Sequence, residues 1–308
     1  MRKLLLQWYQ ENKRDLPWRN TKDPYKIWVS EIILQQTQIK TGLNYYIKFI
    51  RKFPTIEKLA IAQTETVLKI WQGLGYYNRA LNMLKSAKEV MGKYNGVFPK
   101  EYDKLITLKG IGTYTASAIS SFCNKEKKAV LDGNVYRVLS RLYNIQTNIN
   151  TTKGKKQFEE IANKLISRDE PGEYNQAIMD FGATHCTKHN PKCKNCPFQK
   201  NCISFKVGNI HLRPMKILKT KLKIRYFNYL FITNNLFFII QQRITRDIWN
   251  QLYELPLIET EKKIDKETLM RQQQLQSFQI INIKKKYNEE HNLSHQKLKI
   301  TFWHITVK

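Results

Sequence analysis

The sequence predicts two domains of different class, an all-α domain followed by a smaller α+β domain. Up to residue 206 the apolar residues recur at helical spacing between short Gly, Pro and Asn interruptions, and no alternating strand pattern is present. From Tyr226 to Ile240 the chain is instead rich in Tyr, Phe, Ile and Thr around an Asn-Asn pair, which is typical of a β-hairpin. A chain of 308 residues is long enough to form both cores.

A basic segment separates the two patterns. Residues 207–223 contain several lysines and Pro214, a composition typical of a linker. We therefore expect the helical domain over residues 1–206, the linker over residues 207–223 and the α+β domain over residues 224–308.

The net charge points to a polyanionic partner. Fifty-three Lys and Arg residues against 25 Asp and Glu residues leave a formal charge of +28, which attracts nucleic acid. The apolar run from Leu4 to Leu6 is too short for a secretion signal, and the stretch from Tyr229 to Ile240 is too short to span a bilayer. We expect a soluble, cytoplasmic protein that binds no membrane.

The first candidate site residue is an acid on the helix that follows Trp18. Asp23 and Pro24 predict the start of this helix, as N-cap and first helical residue, and its pattern extends to about Gln38. Glu31 lies off the apolar side, where it could line a cleft. A lone helical glutamate is more often simply exposed to solvent, so Glu31 alone does not decide the function.

Two segments carry side chains suited to contact with nucleic-acid bases. The polar run that includes Gln35, Gln36 and Thr37 offers amides that can bond base edges. Tyr76 follows a glycine turn and precedes a helix that carries Arg79, and an aromatic ring beside cations suits base stacking or insertion into a duplex. Ordinary packing explains either pattern equally well when it is taken alone.

The stretch from Leu105 to Arg141 contains a tight turn and an acid close together. Gly110 and Gly112 predict a hairpin between a short helix and a second helix that opens at Thr113. The free N–H groups at that opening form a natural phosphate site. Asp132 precedes a further helical apolar series and is predicted to be its N-cap, directed at whatever the hairpin holds. Either feature alone is common in helical proteins, and their pairing in a basic chain favours a functional site.

Four of the five cysteines lie between residues 186 and 202. Thiolates at such short intervals can bind a zinc ion or a four-iron cluster. Zinc sites commonly use two CxxC pairs, whereas only one pair is present here, which favours iron and sulfur. The fifth, Cys123, is predicted to be a buried apolar residue. The candidate metal ligands are Cys186, Cys193, Cys196 and Cys202.

Several motifs in order make the chain resemble the adenine DNA glycosylases of the endonuclease III helix-hairpin-helix superfamily. They are LPWR at 16–19, PYKIWVSEIILQQTQ at 24–38, WQGLGYYNRA at 71–80, the glycine hairpin with LDGNV, and the four-cysteine loop. The resemblance implies a helix-hairpin-helix glycosylase domain with one [4Fe-4S] cluster. It also implies a monomer that removes adenine opposite 8-oxoguanine or guanine from double-stranded DNA in base excision repair.

The resemblance implies roles for two acids. Glu31 would be the general acid and base, because adenine leaves readily only after a ring nitrogen is protonated. Asp132 would be the ionised carboxylate that stabilises positive charge on the deoxyribose. The target base must first leave the stack, and Gln36 with Tyr76 would fill the vacated space.

A tyrosine replaces the lysine of strand-cleaving relatives. In those enzymes a lysine in the hairpin helix attacks the sugar, and the matching position here is Tyr114. The resemblance therefore implies a monofunctional glycosylase, with Tyr114 and Asn134 lining the catalytic pocket.

The C-terminal part resembles the Nudix-like module that recognises 8-oxoguanine in this family. Gln242-Arg243, Trp249 and the segment 252–256 carry the likeness, while residues 259–271 lack the glutamate cluster of a Nudix hydrolase. The resemblance implies a recognition domain in which Ser294 and His295 bond the oxidised base, with Leu293 in place of an aromatic residue. It also implies a further strand and helix after Lys308, so we expect either a trimmed module or a truncated sequence.

Two other functions are open at this stage. The first is a lyase acting on oxidised pyrimidines, which would nick its substrate without alkali. The second is a non-catalytic DNA-binding protein with a structural zinc ion, which would release no base.

Overall fold

The computed structural model describes residues 1–217, 222–245 and 247–308. The chain forms two compact units, Met1–Ile217 and Leu218–Lys308. Residues 207–217 of the predicted linker belong to the first unit, where the Nε of Arg213 donates to Oδ1 of Asn144 at 2.9 Å. Residues 218–221 of that linker lie outside the described residues. No helix in the described part of the chain is long and apolar enough to cross a membrane.

The first unit is all-helical, as the sequence predicts. Its residues are all described, and its regular elements are α-helices joined by short 3₁₀ and π-helical turns. The helices are α1 (Arg2–Asn12), α2 (Pro24–Ile33), α3 (Ile39–Lys52), α4 (Ile56–Ala60), α5 (Thr64–Trp71), α6 (Asn78–Tyr94), α7 (Tyr102–Leu105), α8 (Thr113–Asn124), α9 (Gly133–Leu142), α10 (Thr152–Leu165), α11 (Pro171–Asp180) and α12 (Ile203–Lys206).

Helix α2 begins as predicted but ends early. Oδ1 of Asp23 accepts a hydrogen bond from the N–H of Tyr25 at 2.9 Å, which confirms the predicted N-cap. The helix stops at Ile33 rather than near Gln38. The reason is a long-range contact, because the guanidinium of Arg79 occupies carbonyl oxygens at the C-terminus of α2.

Three central helices position the site. Helix α2 is buried almost throughout, and it packs on α8, which in turn packs on α11. Helix α8 carries many small residues, so its neighbours approach closely. At Gly172 a side-chain Cβ would lie 2.6 Å from the carbonyl oxygen of Ser121, so only glycine fits this contact between α11 and α8.

The second unit is α+β, as predicted. Its main sheet has the order β4-β1-β6-β5, in which β1 and β6 are parallel and the other pairs are antiparallel. Apolar clusters lie around this sheet, one of them centred on Trp303 and another on Phe227. The elements are β1 (Lys223–Thr233), β2 (Gln241–Gln242), β3 (Tyr253–Glu254), β4 (Leu257–Thr260), α13 (Lys266–Met270), β5 (Ile280–Asn292) and β6 (Gln296–Val307).

The β-hairpin predicted from Tyr226 to Ile240 is wrong in its second half. The chain does turn at Asn234 and Asn235, and the returning segment makes a bridge between Thr233 and Phe238 and a backbone hydrogen bond from Ile239 to Ile232 at 3.1 Å, but it forms no regular strand against β1. Strand β1 pairs instead with β6 along its whole length and with β4 from Tyr226 to Tyr229. The edge that a hairpin partner would need is therefore already partly occupied.

Candidate active site

One cavity in the first unit receives both predicted acids. It has a volume of about 430 Å³ and lies among residues from α2, α8, α9 and α11. The structure therefore brings together residues that are far apart along the chain. The four residues predicted to be catalytic, Glu31, Tyr114, Asp132 and Asn134, all line it.

Glu31 lies near the C-terminus of α2 and is only 5% exposed. Burial raises the pKa of its carboxyl group to about 7, because the charged form loses hydration. A hydrogen bond from Tyr114 lowers this pKa, the charge of Asp132 raises it and Arg19 lowers it again. The net result is a carboxyl group that holds its proton up to neutral pH.

Asp132 is the N-cap of α9, as predicted. Its Oδ1 accepts from the N–H of Val135 at 2.8 Å, and its Oδ2 accepts from Nδ2 of Asn134 at 2.7 Å. Burial raises the pKa of Asp132, whereas these hydrogen bonds and the charge of Arg137 lower it, and the net direction is upward. Two fixed N–H donors on this carboxylate favour its ionised form.

Asn134 is oriented by an arginine behind it. Nη2 of Arg137 donates to Oδ1 of Asn134 at 2.8 Å, so the amide nitrogen of Asn134 is directed at Asp132. The same guanidinium donates to the carbonyl oxygens of Gly182 at 2.6 Å and Cys186 at 2.8 Å. Arg137 therefore connects the Asp132 side of the cavity to the start of the cysteine loop.

Tyr114 is the second residue of α8. Burial raises the pKa of its phenol well above the ordinary value, and the charges of Glu31 and Asp132 raise it further. Its hydroxyl also lies 3.9 Å from Sδ of Met179. The group therefore stays protonated and serves as a hydrogen-bond donor in the cavity.

Sequence reasoning missed a buried ion network in the same cavity. Asp180, the last residue of α11, is fully buried and accepts from Nη1 of Arg19 at 2.6 Å and Nε of Arg14 at 3.0 Å. Burial alone would raise the pKa of Asp180, but the bonds from Arg19 and Arg14 hold it below its ordinary value. Arg14, Arg19 and Gln176 all line the cavity. Of the residues in this network, only Arg19 lies in a recognised sequence motif, LPWR.

Of the residues in the first unit predicted to contact bases, one lines the cavity. Thr37 lines the cavity, and Nε2 of Gln35 lies 3.5 Å from Oγ1 of Thr115. Gln36 and Tyr76 are exposed at the tips of two turns and both have left-handed backbones, with φ of 60° and 49°.

The glycine hairpin forms between α7 and α8 as predicted. Gly110 has φ of +81°, and a Cβ there would lie 2.8 Å from Cβ of Asn82, so glycine is required twice over. Gly112 directly precedes α8, whose first N–H groups begin there.

Ser294 and His295 belong to the second unit. Both are exposed in the turn between β5 and β6, where Oγ of Ser294 lies 3.2 Å from Nδ1 of His295. In the same unit Arg243 pairs with Glu254 at 2.9 Å and with Asp247 at 3.0 Å, so part of the predicted Nudix-like motif forms a structural ion network.

The four clustered cysteines line a separate small cavity together with Arg141, Phe181 and His185. Burial raises the pKa of the Cys193, Cys196 and Cys202 thiols, and each is raised further by the charge of neighbouring thiolates. Within the described residues, no group of three or more His, Cys, Asp or Glu side chains could hold a single metal ion. Four soft thiol donors around one cavity suit either a single zinc ion or an iron–sulfur cluster.

The fold and the site define a class of protein. Residues 29–168 match the family model described as the HhH-GPD superfamily base excision DNA repair protein. A solved thermostable thymine-DNA glycosylase is 29% identical, with a TM-score of 0.62 over 67% of this chain and 94% of that chain. An endonuclease III–DNA complex has the same fold at 22% identity, with a TM-score of 0.58 over 67% and 94% of the two chains. The protein is a helix-hairpin-helix DNA glycosylase.

Relatives with higher sequence identity show to which group of DNA glycosylases the chain belongs. The adenine DNA glycosylase of Buchnera aphidicola subsp. Baizongia pistaciae is 41% identical over 266 residues, which cover 82% of this chain and 72% of the relative. The human adenine DNA glycosylase is 41% identical over 207 residues, which cover 64% and 38% of the two chains. This chain belongs to the adenine DNA glycosylases, the DNA N-glycosylases that remove adenine in base excision repair.

Proposed function

We propose that the chain hydrolyses the N-glycosidic bond of adenine opposite 8-oxoguanine or guanine in double-stranded DNA, without cutting the strand. The observation that carries this proposal is the cavity that Glu31, Asp132 and Tyr114 line together. The bifunctional lyase and the non-catalytic binding protein become outcomes of the test below.

Glu31 is the general acid. Its pKa of about 7 keeps about half of the carboxyl groups protonated at pH 7, so Glu31 can donate a proton to a ring nitrogen of adenine. Protonation makes the base a better leaving group. After the proton has left, the carboxylate of Glu31 can accept a proton from the water that attacks the sugar.

Asp132 acts on the sugar. Positive charge develops on the deoxyribose as the bond breaks, and an ionised carboxylate close by stabilises it. The donors on Asp132, which are the N–H of Val135 and the amide of Asn134, hold the carboxylate in one orientation. Arg137 fixes Asn134 in turn.

The composition of the cavity supports hydrolysis without strand cleavage. A lyase needs an amine that forms a Schiff base with the sugar. No lysine lines the cavity among the described residues, and the residue at the corresponding position is Tyr114. A phenol held protonated by burial cannot replace that amine.

DNA is held around the mouth of the cavity. The N–H groups at the start of α8, with Gly110 and Gly112, suit a backbone phosphate. Gln35 and Thr37 contact the bases near the target, while Gln36 and Tyr76 fill the space that the extruded adenine leaves. The exposure of Tyr76, at 47%, leaves its ring available for this role.

A [4Fe-4S] cluster is bound by Cys186, Cys193, Cys196 and Cys202. When bound, it supplies iron–thiolate bonds that close the loop at residues 186–202. The loop's own Lys188, Lys192 and Lys194 then present positive charge to the DNA backbone.

The domain from residue 224 to residue 308 is a Nudix-like recognition module. Ser294 and His295, at one exposed turn, bond the 8-oxoguanine opposite the target adenine. The proposal also takes the protein to act as a monomer.

A base-release assay on three matched duplexes tests the proposal. Adenine lies opposite 8-oxoguanine, guanine or thymine, and each product is analysed with and without alkali. We expect release from the first two duplexes and strand breaks only after alkali. Strand breaks without alkali would identify a lyase, and absence of release from all three would leave a binding protein.

A further inference from the structure

The guanidinium of Arg79 ties together two turns that are far apart in sequence. Its Nη1 donates to the carbonyl oxygens of Ile32 at 2.8 Å and Gln35 at 2.6 Å. Its Nη2 lies 3.3 Å from the carbonyl oxygen of Gly75 and 3.5 Å from that of Leu74. One side chain on α6 therefore fixes the end of α2 and the turn before α6.

Each of these turns ends in an exposed residue with a strained backbone. Gln36 follows Gln35 and has φ of 60°, and Tyr76 follows Gly75 and has φ of 49°. Residues with side chains rarely adopt this left-handed conformation, and they keep it only where the surroundings hold it. The contacts of Arg79 lie one residue before each of them.

The charge of Arg79 has no carboxylate partner among the described residues. Its acceptors among the described residues are all backbone carbonyl oxygens, and its Nε is buried without a partner in the same part of the chain. The guanidinium also lies over the rings of Trp71 at 5.3 Å and Tyr76 at 5.5 Å. Burial lowers its pKa to about 10. A half-buried cation without a carboxylate partner is unfavourable by itself, and the C-terminal dipole of α2 offsets only part of this.

We propose that Arg79 is a positioning residue that sets Gln36 and Tyr76 as one preformed unit for insertion into DNA. This inference depends on the proposed function for the insertion roles of those two residues. Because Arg79 also bonds the carbonyl oxygen of Ile32, next to Glu31, the same contact fixes the inserting turns relative to the catalytic acid.

The physical benefit is preorganisation. Extruding a base requires unstacking, and turns that had to order themselves at the same moment would add an entropic penalty. Because one guanidinium already holds both turns, Gln36 and Tyr76 insert into the DNA and adenine reaches Glu31 without further rearrangement of the turns. Lysine cannot replace this fork of donors, because a single ammonium cannot reach both sets of carbonyls.

Arg79→Lys tests the inference, with Arg213→Lys as the matched control. Arg213 is buried and donates to Asn144, but it touches neither turn. Unstacking is followed by stopped-flow fluorescence of 2-aminopurine beside the target adenine, and base release is measured in single turnovers. We expect Arg79→Lys to slow both by about tenfold and the control to leave both within about twofold. Thermal unfolding is recorded for each variant, and Arg79→Gln is the second variant if lysine lowers the midpoint.

A DNA substrate with a weakened duplex beside the target distinguishes loss of positioning by Arg79 from a general loss of enzyme activity. When the base pairs beside the target are mismatched, extrusion is easier, and we expect most of the deficit of Arg79→Lys in base release to disappear. An equal deficit on both substrates would overturn the inference. Tyr76→Ala and Gln36→Ala are measured in parallel, and Arg79→Lys should add little to Tyr76→Ala. If those two variants unstack DNA normally, the insertion roles and this inference both fail; if they are slow while Arg79→Lys is normal, only this inference fails.

Discussion

Glu31, near the end of α2, and Asp132, at the N-cap of α9, line the same cavity, and the charge of Asp132 raises the pKa of Glu31. The two acids are therefore coupled, so ionisation of one disfavours ionisation of the other. The hydrogen bonds on Asp132 favour its ionised form, which leaves Glu31 as the group that keeps a proton. This asymmetry is what acid-assisted base removal requires.

Replacing Glu31 with Gln should abolish base release and spare DNA binding. The amide has the shape of the carboxyl group but cannot transfer a proton, and loss of a general acid lowers rates by about 10² to 10⁴. Single-turnover release and duplex binding are the measurements. The exposed Glu11→Gln is the matched control. Unchanged release by Glu31→Gln would remove Glu31 from the mechanism.

The rate of base release should fall as the pH rises through about 7. Glu31 acts in its protonated form, and its pKa of about 7 places the alkaline limb of the kcat/KM profile there. Tyr114→Phe should move that limb upward, because the hydrogen bond from Tyr114 lowers the pKa of Glu31. An alkaline limb at the same pH in Tyr114→Phe and in the unmodified protein would contradict the effect of Tyr114 on the pKa of Glu31.

Glu31 should also make the folded protein less stable as the pH rises. Its pKa rises from 4.5 to about 7 on folding, so the folded state binds more protons than the unfolded chain between those values. The associated stability is complete below pH about 4.5 and is lost as the pH approaches about 7. The free energy of unfolding should therefore decrease relative to Glu31→Gln by up to about 3 kcal/mol over that range. Denaturant unfolding of both proteins at several pH values measures the difference, and parallel curves would refute it.

Replacing Tyr114 with Lys should convert part of the activity to strand cleavage. The new amine would enter the cavity that holds the sugar and could form a Schiff base with it. The measurements are nicking without alkali and trapping of a covalent adduct by borohydride. Tyr114→Phe, which lacks the amine, should give neither product. A lysine variant that folds and binds DNA yet gives no adduct would show that Tyr114 is misplaced for attack.

Removing one clustered cysteine should remove iron. Cys193→Ser takes one thiolate from the cavity that the four cysteines line, so elemental analysis should show loss of most iron and sulfide. DNA affinity should fall in parallel, because the lysine-bearing loop is no longer closed. Cys123→Ala, outside that cavity, should keep full iron content. Stoichiometric zinc without iron in the unmodified protein would replace the cluster with a single-ion site.

His295→Ala should reduce discrimination between 8-oxoguanine and guanine. Loss of one or two hydrogen bonds to the oxidised base should lower the preference for adenine opposite 8-oxoguanine by about tenfold. Release of adenine opposite guanine should change little, since guanine lacks the group that His295 bonds. His291→Ala, another exposed histidine of the same hairpin, is the control. Equal losses on both duplexes would assign His295 to general DNA binding.

Local signals made much of the first unit predictable. Asp23 with Pro24 marked the start of α2, Gly110 with Gly112 marked the hairpin, and Asp132 marked the start of α9, because caps and turns depend on residues within a few positions. The four-cysteine spacing and the ordered motifs indicated the class of enzyme in the same way. These features depend on residues that are close together in the chain, so the amino-acid sequence is sufficient to predict them.

Only the tertiary structure decided the features that depend on distant residues. Helix α2 ends before Gln38 because Arg79 donates to carbonyl oxygens at the end of the helix. No local sequence pattern predicts that contact. Asp180 holds Arg14 and Arg19 at the cavity, and β1 pairs with the distant β6 along its whole length. The sequence by itself determined the helices, the caps and the two acids. Packing determined that the acids meet in one buried cavity. Burial of Glu31 and the effect of the Asp132 charge on its pKa arise only after folding.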